Sequence, residues 1–291
     1  MKLFALLAGL VVTGVAAAQT PTPPPAGPYV HRVETATSAD GLTWARDGKT
    51  VLEHASVPDA VLTASGAVRI YYVDASNVPE NANCAELRGA TTAVLGCRIV
   101  GIPTRKALDP AIVRLADGRY RLYYFAADDR PDASGAHQVR SAISRDGMRF
   151  TDEGLAFSHG GLVDPDVFWT GKEWLMYVFA DGDTIVARSP DGRRFTFVGS
   201  LGLRGYGTTS PVRLPDGRFR LYAFAQGGQT DFVSFISNDG VRWTKEDGVR
   251  LQAAAGEQIT DPQVVRLRDG TWKMVFKVDP TPPKAPPQPK P

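Results

Sequence analysis

Asp109-Pro110-Ala111-Ile112-Val113, followed after a Gly turn by Tyr120-Arg121-Leu122-Tyr123-Tyr124, is the stretch that decides the fold of this 291-residue chain. A short turn ending in Pro leads into an apolar strand, and a Gly turn leads into an aromatic strand. The phrase returns at Val57-Pro58-Asp59-Ala60-Val61 to Val68-Arg69-Ile70-Tyr71-Tyr72 and at Asp164-Pro165-Asp166-Val167-Phe168 to Trp174-Leu175-Met176-Tyr177-Val178. It returns twice more, at Thr208-Thr209-Ser210-Pro211-Val212 to Phe219-Arg220-Leu221-Tyr222-Ala223 and at Asp261-Pro262-Gln263-Val264-Val265 to Trp272-Lys273-Met274-Val275-Phe276. Anchored on Pro58, Pro110, Pro165, Thr209 and Pro262, the steps are 52, 55, 44 and 53 residues, which suits one four-stranded blade per copy. The expected fold is all-β, a five-bladed β-propeller.

A second signature, Ser-x-Asp-Gly-x-x-aromatic, marks the other half of four blades at Ser38 to Trp44, Ser144 to Phe150, Ser189 to Phe195 and Ser237 to Trp243. Asp-Gly supplies a positive-φ hairpin turn, Ser or Asp bonds the turn amides, and the aromatic anchors the next strand. The first of these copies precedes the first Pro-anchored copy, and none follows the last. The N-terminal strands must therefore complete the last blade, which spares the ring two open strand edges. The first blade is irregular: its turn is expected at Cys97-Arg98-Ile99-Val100-Gly101-Ile102-Pro103-Thr104, which lacks Asp-Gly.

Outside the repeats, the expected organisation is a signal peptide at 1–18, a Pro-rich linker at 19–28, the propeller at 29–278 and a Pro-rich disordered tail at 279–291. Met1-Lys2, an apolar run from Leu3 to Val15 and Ala16-Ala17-Ala18 carry the signal. The apolar run is too short to span a bilayer, so no membrane span is expected, and the protein is expected to be secreted or periplasmic. Cys84 and Cys97, the only cysteines, lie in a segment read as an insertion from Asp74 to Ile102 and are expected to form a disulfide after export. The net charge of +2 points to no nucleic-acid partner, and the chain is expected to be a monomer. Phosphate-binding glycine loops, His-Glu-x-x-His and paired Cys-x-x-Cys are all missing, and four histidines argue against a transition-metal enzyme.

The acids at the strand entries remain. The first strand of every blade lines the axis, so Asp109, Asp164 and Asp261 converge, with Asp59 and Asp166 just beyond the Pro in two blades. Asp before Pro also stabilises an entry turn, but acids gathered on one axis repel each other unless something binds or a proton is shared. A structural Ca²⁺ at the axis is one expected answer, and no other cofactor is expected.

The blade count, the Asp-Pro entries, the Tyr-x-Leu-Tyr-Tyr second strands and the Ser-x-Asp-Gly turns together resemble the five-bladed propeller glycoside hydrolases, the group of arabinanases, β-xylosidases and invertase- and levanase-type enzymes. The resemblance covers about Tyr29 to Val278. It implies a base or nucleophile Asp at the first blade's entry, an orienting Asp-Pro in the second and a Glu acid from a later blade. Asp109 matches the second. The first blade has Val57 there, with Asp59 two residues on, and the third offers Asp164 and Asp166 but no Glu. The expected catalytic set is Asp59 as base, Asp109 as its modulator and Asp164 or Asp166 as acid. Substrate contacts are expected from His54, His159, Tyr206 and Asp261, and from Glu257, the only Glu close before a strand entry. Sialidase propellers offer a second comparison, but their arginine cluster is not matched: Arg69, Arg121 and Arg220 follow the repeat and are expected along blade surfaces, away from the axis. Two functions stand open: hydrolysis or recognition of a glycan at an acidic axial pocket, and a non-catalytic glycan- or protein-binding propeller in the cell envelope.

Overall fold

The computed structural model describes residues 27–280 except 77–78, 89–91, 104–105, 128–135 and 229. After a 3-10 turn at Gly27–Val30 come twenty strands: β1 (Arg32–Ser38), β2 (Ala45–Glu53), β3 (Ala55–Leu62), β4 (Val68–Asp74), β5 (Asn81–Arg88), β6 (Thr92–Cys97), β7 (Ala107–Arg114), β8 (Tyr120–Ala126), β9 (Ala136–Ser144) and β10 (Phe150–Gly160). They continue with β11 (Val163–Trp169), β12 (Trp174–Ala180), β13 (Asp183–Ser189), β14 (Thr196–Ser200), β15 (Tyr206–Arg213), β16 (Phe219–Ala225), β17 (Phe232–Ser237), β18 (Thr244–Lys245), β19 (Gln258–Arg266) and β20 (Trp272–Asp279). They form five four-stranded antiparallel sheets, four of them consecutive runs from β3 to β18 and the fifth in the order β19-β20-β1-β2. The chain is therefore a five-bladed propeller whose N-terminal strands complete the last blade. Strand β1 lies inside that blade, in register with β20 from Arg32 opposite Val278 to Ser38 opposite Trp272. The expected signal peptide and nearly all of both Pro-rich tails lie outside the described residues.

Apolar side chains are buried between blades. Five clusters each span one junction, such as Val33, Leu52, Ile70, Tyr72 and Val275 where the last blade meets the first. A polar clamp accompanies four of the junctions. Tyr71, Tyr123 and Tyr222 on the second strands donate to the carbonyls of Gly147, Gly192 and Gly41 at 2.7, 2.6 and 2.7 Å, and Tyr177 does the same to Gly240. Each glycine is the Gly of the next blade's Ser-x-Asp-Gly turn, so the two sequence signatures are the two halves of one contact. At Gly147 the close approach leaves no room: a Cβ would stand 2.6 Å from Tyr71 Oη and from Arg69 Nη1.

Arg69, Arg121 and Arg220 belong to the same clamp, which corrects their expected place along blade surfaces. Arg69 and Arg121 donate to the carbonyls of Asp146 and Asp191 at 2.6 and 2.9 Å, and Arg220 reaches that of Asp40 at 3.5 Å. They also pair with Glu86, Glu153 and Glu246. They do lie away from the axis, wedged between blades.

The fifth junction lacks the clamp because the first blade lacks the turn that would receive it. The equivalents on β20 are Val275 and Lys273, and Lys273 bonds Thr37 and Asp47 within its own blade. The segment from Asp74 to Ile102 is no insertion: it supplies β5 and β6. Residues 89–91 lie between those strands and outside the described residues, while Arg98 to Pro103 belongs to the connection that follows β6. In that connection Val100 bridges Arg149 in the second blade.

Cys84 and Cys97 face each other across β5 and β6 and are disulfide-bonded, 13 residues apart. Closing a loop of this size stabilises the fold by ~3 kcal/mol in the chain-entropy model. Cys84→Ser with Cys97→Ser should lower the urea midpoint and slightly raise the slope, because the unfolded chain loses its cross-link. An unchanged midpoint would mean that the rest of the first blade already constrains this hairpin.

Candidate functional site: the axial carboxyl rings

Each innermost strand carries a β-bulge at its Pro-anchored entry. The ladder with the second strand skips between Ser56 and Asp59, Leu108 and Ala111, Val163 and Asp166, and Thr260 and Gln263. In the fourth blade, where Thr209 stands in place of Pro, it skips between Gly207 and Thr209. A bulge re-aims a side chain that regular pleating would send elsewhere. Val57, Asp109, Asp164 and Asp261 sit in the left-handed region, with φ of 43, 48, 51 and 53°. Asp tolerates that region, whereas a β-branched Val is a clear outlier in it.

Two tiers of side chains result. The first, at the mouth, is Val57, Asp109, Asp164, Thr208 and Asp261. The second, further along the strands, is Asp59, Ala111, Asp166, Ser210 and Gln263. Neighbouring blades are linked within each tier. In the first, the Asp164 amide donates to Asp109 Oδ2 at 3.4 Å and Thr208 Oγ1 to Asp164 Oδ2 at 3.3 Å. In the second, the Ile112 amide donates to Asp59 Oδ2 at 2.5 Å and the Val264 amide to Ser210 Oγ at 3.0 Å.

The tiers differ in access and charge. Asp109 and Asp164 are half-buried, while Asp261 and Thr208 of the same tier are buried, as are Asp59 and Asp166 of the second. A lysine that the repeat reading did not single out enters the first tier: Lys277 Nζ lies 2.6 Å from Asp261 Oδ2, its side chain 17% exposed. Burial works against the Lys277 charge, but Asp261, Asp164 and Asp109 outweigh it and raise its pKa. The signal was present in the repeat. Opposite Ser56, Leu108, Val163 and Gly207 the second strands carry Val73, Phe125, Phe179 and Phe224, and only the last blade places a charge there, Lys277 opposite Thr260.

Burial pushes Asp109 up to about 6; Asp261 adds to the rise, while the Asp164 amide and Lys277 oppose it. Asp164 is pushed well above the ordinary value by burial and then by Asp109 and Asp261. In the second tier burial raises Asp59 to about 7 against the Ile112 and Ala60 amides, and burial together with Asp59 raises Asp166. Asp166 Oδ2 is buried without a hydrogen-bond partner. Buried carboxyls that act on one another in this way disfavour ionising together.

Stability should therefore depend on pH with a definite sign. From the ordinary 3.8 up to about 7 the folded Asp59 keeps a proton that the unfolded chain releases, so stability falls as pH rises through that window. The melting temperature at pH 5 should exceed that at pH 7.5, and Asp59→Asn should flatten the difference. His31 is lowered by burial and then by Lys277, so below its ordinary 6.5 it acts in the opposite sense, and the contrast between the wild type and Asp59→Asn decides. Equal slopes in the two proteins would show Asp59 to be ionised throughout.

The other expected site residues are scattered. Glu257 is held by Arg46 and Arg32 at 2.5 and 3.0 Å, in a lattice that Glu34 completes. Burial pushes its carboxyl up, but Arg46 and the Ala254 amide outweigh that and hold it low, which disqualifies it as a proton donor at neutral pH. His54 stacks on Tyr29 with ring centroids 4.0 Å apart, near the mouth but engaged with the N-terminal turn. His159 stacks between Phe157 and Phe197 on the outermost strands β10 and β14, far from the axis. Tyr206 packs edge-on against Phe235 under Lys245, within the cluster between the third and fourth blades. The histidine nearest the mouth ring is His31, which hydrogen-bonds Ser56 at 3.0 Å. Among the described residues no three His, Cys, Asp or Glu side chains are grouped to hold a metal ion.

No protein-family profile matches this sequence, and no curated protein does either. Solved structures do match it in fold. An N-acetylgalactosamine deacetylase from F. plautii, in complex with blood group B trisaccharide, aligns over 85% of this chain and 95% of its own at 12% identity and a TM-score of 0.60. The α-L-arabinanase of Penicillium chrysogenum, complexed with arabinobiose, covers 85% and 97% at 9% identity and a TM-score of 0.58. A thermostable family-43 glycoside hydrolase covers 80% and 95% at 12% identity and a TM-score of 0.56. The chain thus has the five-bladed propeller fold of these carbohydrate enzymes, along nearly their whole length.

Proposed function

We propose that this chain is a carbohydrate-directed propeller that hydrolyses a glycosidic bond at the mouth of its axis, with Asp164 as proton donor and Asp109 as its ionised partner. One arrangement carries the reading: Asp109 and Asp164 meet from adjacent blades, the Asp164 amide donating to Asp109 Oδ2 at 3.4 Å, and burial raises the proton affinity of both, with the Asp109 charge adding to the rise at Asp164, so that the pair favours one protonated and one ionised carboxyl. Glycosidic cleavage asks for such a division, one carboxyl protonated toward the leaving oxygen and one ionised on the sugar's other side. The roles differ from those expected from sequence. Both Asp59 oxygens accept backbone amides, from Ala60 and Ile112, so this reading makes Asp59 a latch between the first two blades and leaves Asp166 as its buried neighbour. The disulfide fits an oxidising compartment and hence export, with residues 1–18 as the leader.

Val57 favours a second reading. The resemblance places a carboxylate at the first blade's entry, and an apolar side chain there suits a propeller that binds a glycan without cutting it. A screen of the purified protein on arabinan, xylan, fructan and aryl glycosides separates the two. Product release that Asp109→Asn abolishes supports hydrolysis; glycan binding that needs Asp109 and Asp164, with no product from any substrate, supports the binder.

A further inference from the structure

Three acids of the mouth tier converge from three blades, yet among the described residues the cationic side chain paired with them enters from one strand. Lys277 lies on β20, where every other blade has an apolar residue, and its ammonium is within 2.6 Å of Asp261 Oδ2. Its charge also acts on Asp109 and Asp164. The other titratable groups facing it are His31, which precedes β1, and Asp279 at the end of β20, whose Oδ2 is 3.6 Å from His31 Nε2. A hard cation would need oxygen ligands turned toward one common point. Here Asp261 is turned to the ammonium, Asp109 accepts from the Asp164 amide and Asp164 from the Thr208 hydroxyl.

We propose that Lys277 is the built-in counter-cation of this propeller, taking the place of an axial metal ion, and that by pairing with Asp261 it leaves Asp109 and Asp164 as the two carboxyls that share a proton. Lys277 is thus a positioning residue. The second clause rests on the functional reading above, but the test is made on the sugar-free protein and stands or falls without any substrate.

The measurement is the melting temperature of the wild type, Lys277→Met, Asp261→Asn and the double variant, at pH 5 and 7.5, with EDTA or with 10 mM CaCl₂. The wild type should melt at the same temperature with chelator and with Ca²⁺. Lys277→Met removes this cation from three acids, so it should lose about 10 °C at pH 7.5, markedly less at pH 5, and regain part of the loss with Ca²⁺. The double variant should recover most of the loss, because Asp261 is then neutral. A wild type that EDTA destabilises would overturn the proposal, as would Lys277→Met melting like the wild type at pH 7.5. Should Lys277→Met fail to fold, the wild-type arm and the double variant still decide: a double variant melting well below Asp261→Asn, and equally so at pH 5 and 7.5, would make Lys277 mere packing. A protein inert on every glycan that nevertheless gives these melting curves would retain the counter-cation and reject only the hydrolase.

Discussion

Asp109→Asn and Asp164→Asn should each lower turnover by about 10²–10⁴-fold while the protein stays folded, the range that a positioned acid or base contributes. Asparagine keeps the shape of the side chain and can still accept the Asp164 amide or the Thr208 hydroxyl, so the bulges should survive. Either change removes one carboxyl from a repulsive group, so melting at pH 7.5 should hold or rise. The two variants should differ with leaving group. Loss of a proton donor matters less when the departing oxygen is already a good leaving group, so Asp164→Asn should recover toward wild type on aryl glycosides with acidic phenols, while Asp109→Asn should not. If Asp109→Asn recovers instead, the roles are exchanged. Activity that persists in both variants would mean that the mouth tier is not where the bond breaks.

A chain lacking residues 1–44 should not fold as a cooperative monomer. Strand β1 is an interior strand of the last blade, its Val33, Thr35 and Ala36 fully buried, and it pairs with β20 along its whole length. Its removal strips β2 of its partner and turns β20 into a long apolar edge, a template for association with other chains. It also removes the Gly41 carbonyl that receives Tyr222 and the Trp44 ring packed edge-on against Tyr222, so the junction between the fourth and fifth blades opens. Size exclusion and a thermal melt followed by circular dichroism would show aggregate and a broad transition. A monomer melting within a few degrees of the full chain would mean that the nineteen remaining strands close well enough without β1.

The clamp tyrosines show why so much of the architecture was legible. Tyr71, Tyr123, Tyr177 and Tyr222 recur because four junctions repeat one contact with a Ser-x-Asp-Gly turn, and the missing fifth turn is matched by Val275. A contact repeated around a pseudo-symmetry axis leaves a periodic trace along the chain. Its order also showed which blade the N-terminus completes, and the convergence of Asp109, Asp164 and Asp261 followed from the same period. Misreadings came where the period failed: β5 and β6 carry no Asp-Gly turn, so they passed for an insertion, although the cysteines within them were paired as expected.

Sequence by itself determined the blade number, the closure and which acids meet at the axis, because each depends on local turn chemistry or on repetition, and the disulfide, because the chain has just two cysteines. Only the tertiary structure decided what those acids do to one another. Glu257 is neutralised by Arg32 and Arg46 from strands more than 200 residues away in the chain. Asp59 spends both oxygens on backbone amides, one of them in the next blade. Lys277 reaches Asp261 across a bulge that period-two reasoning does not foresee. Proton affinity is set by burial and by charges a few ångströms off, and those distances exist only once the ring has closed.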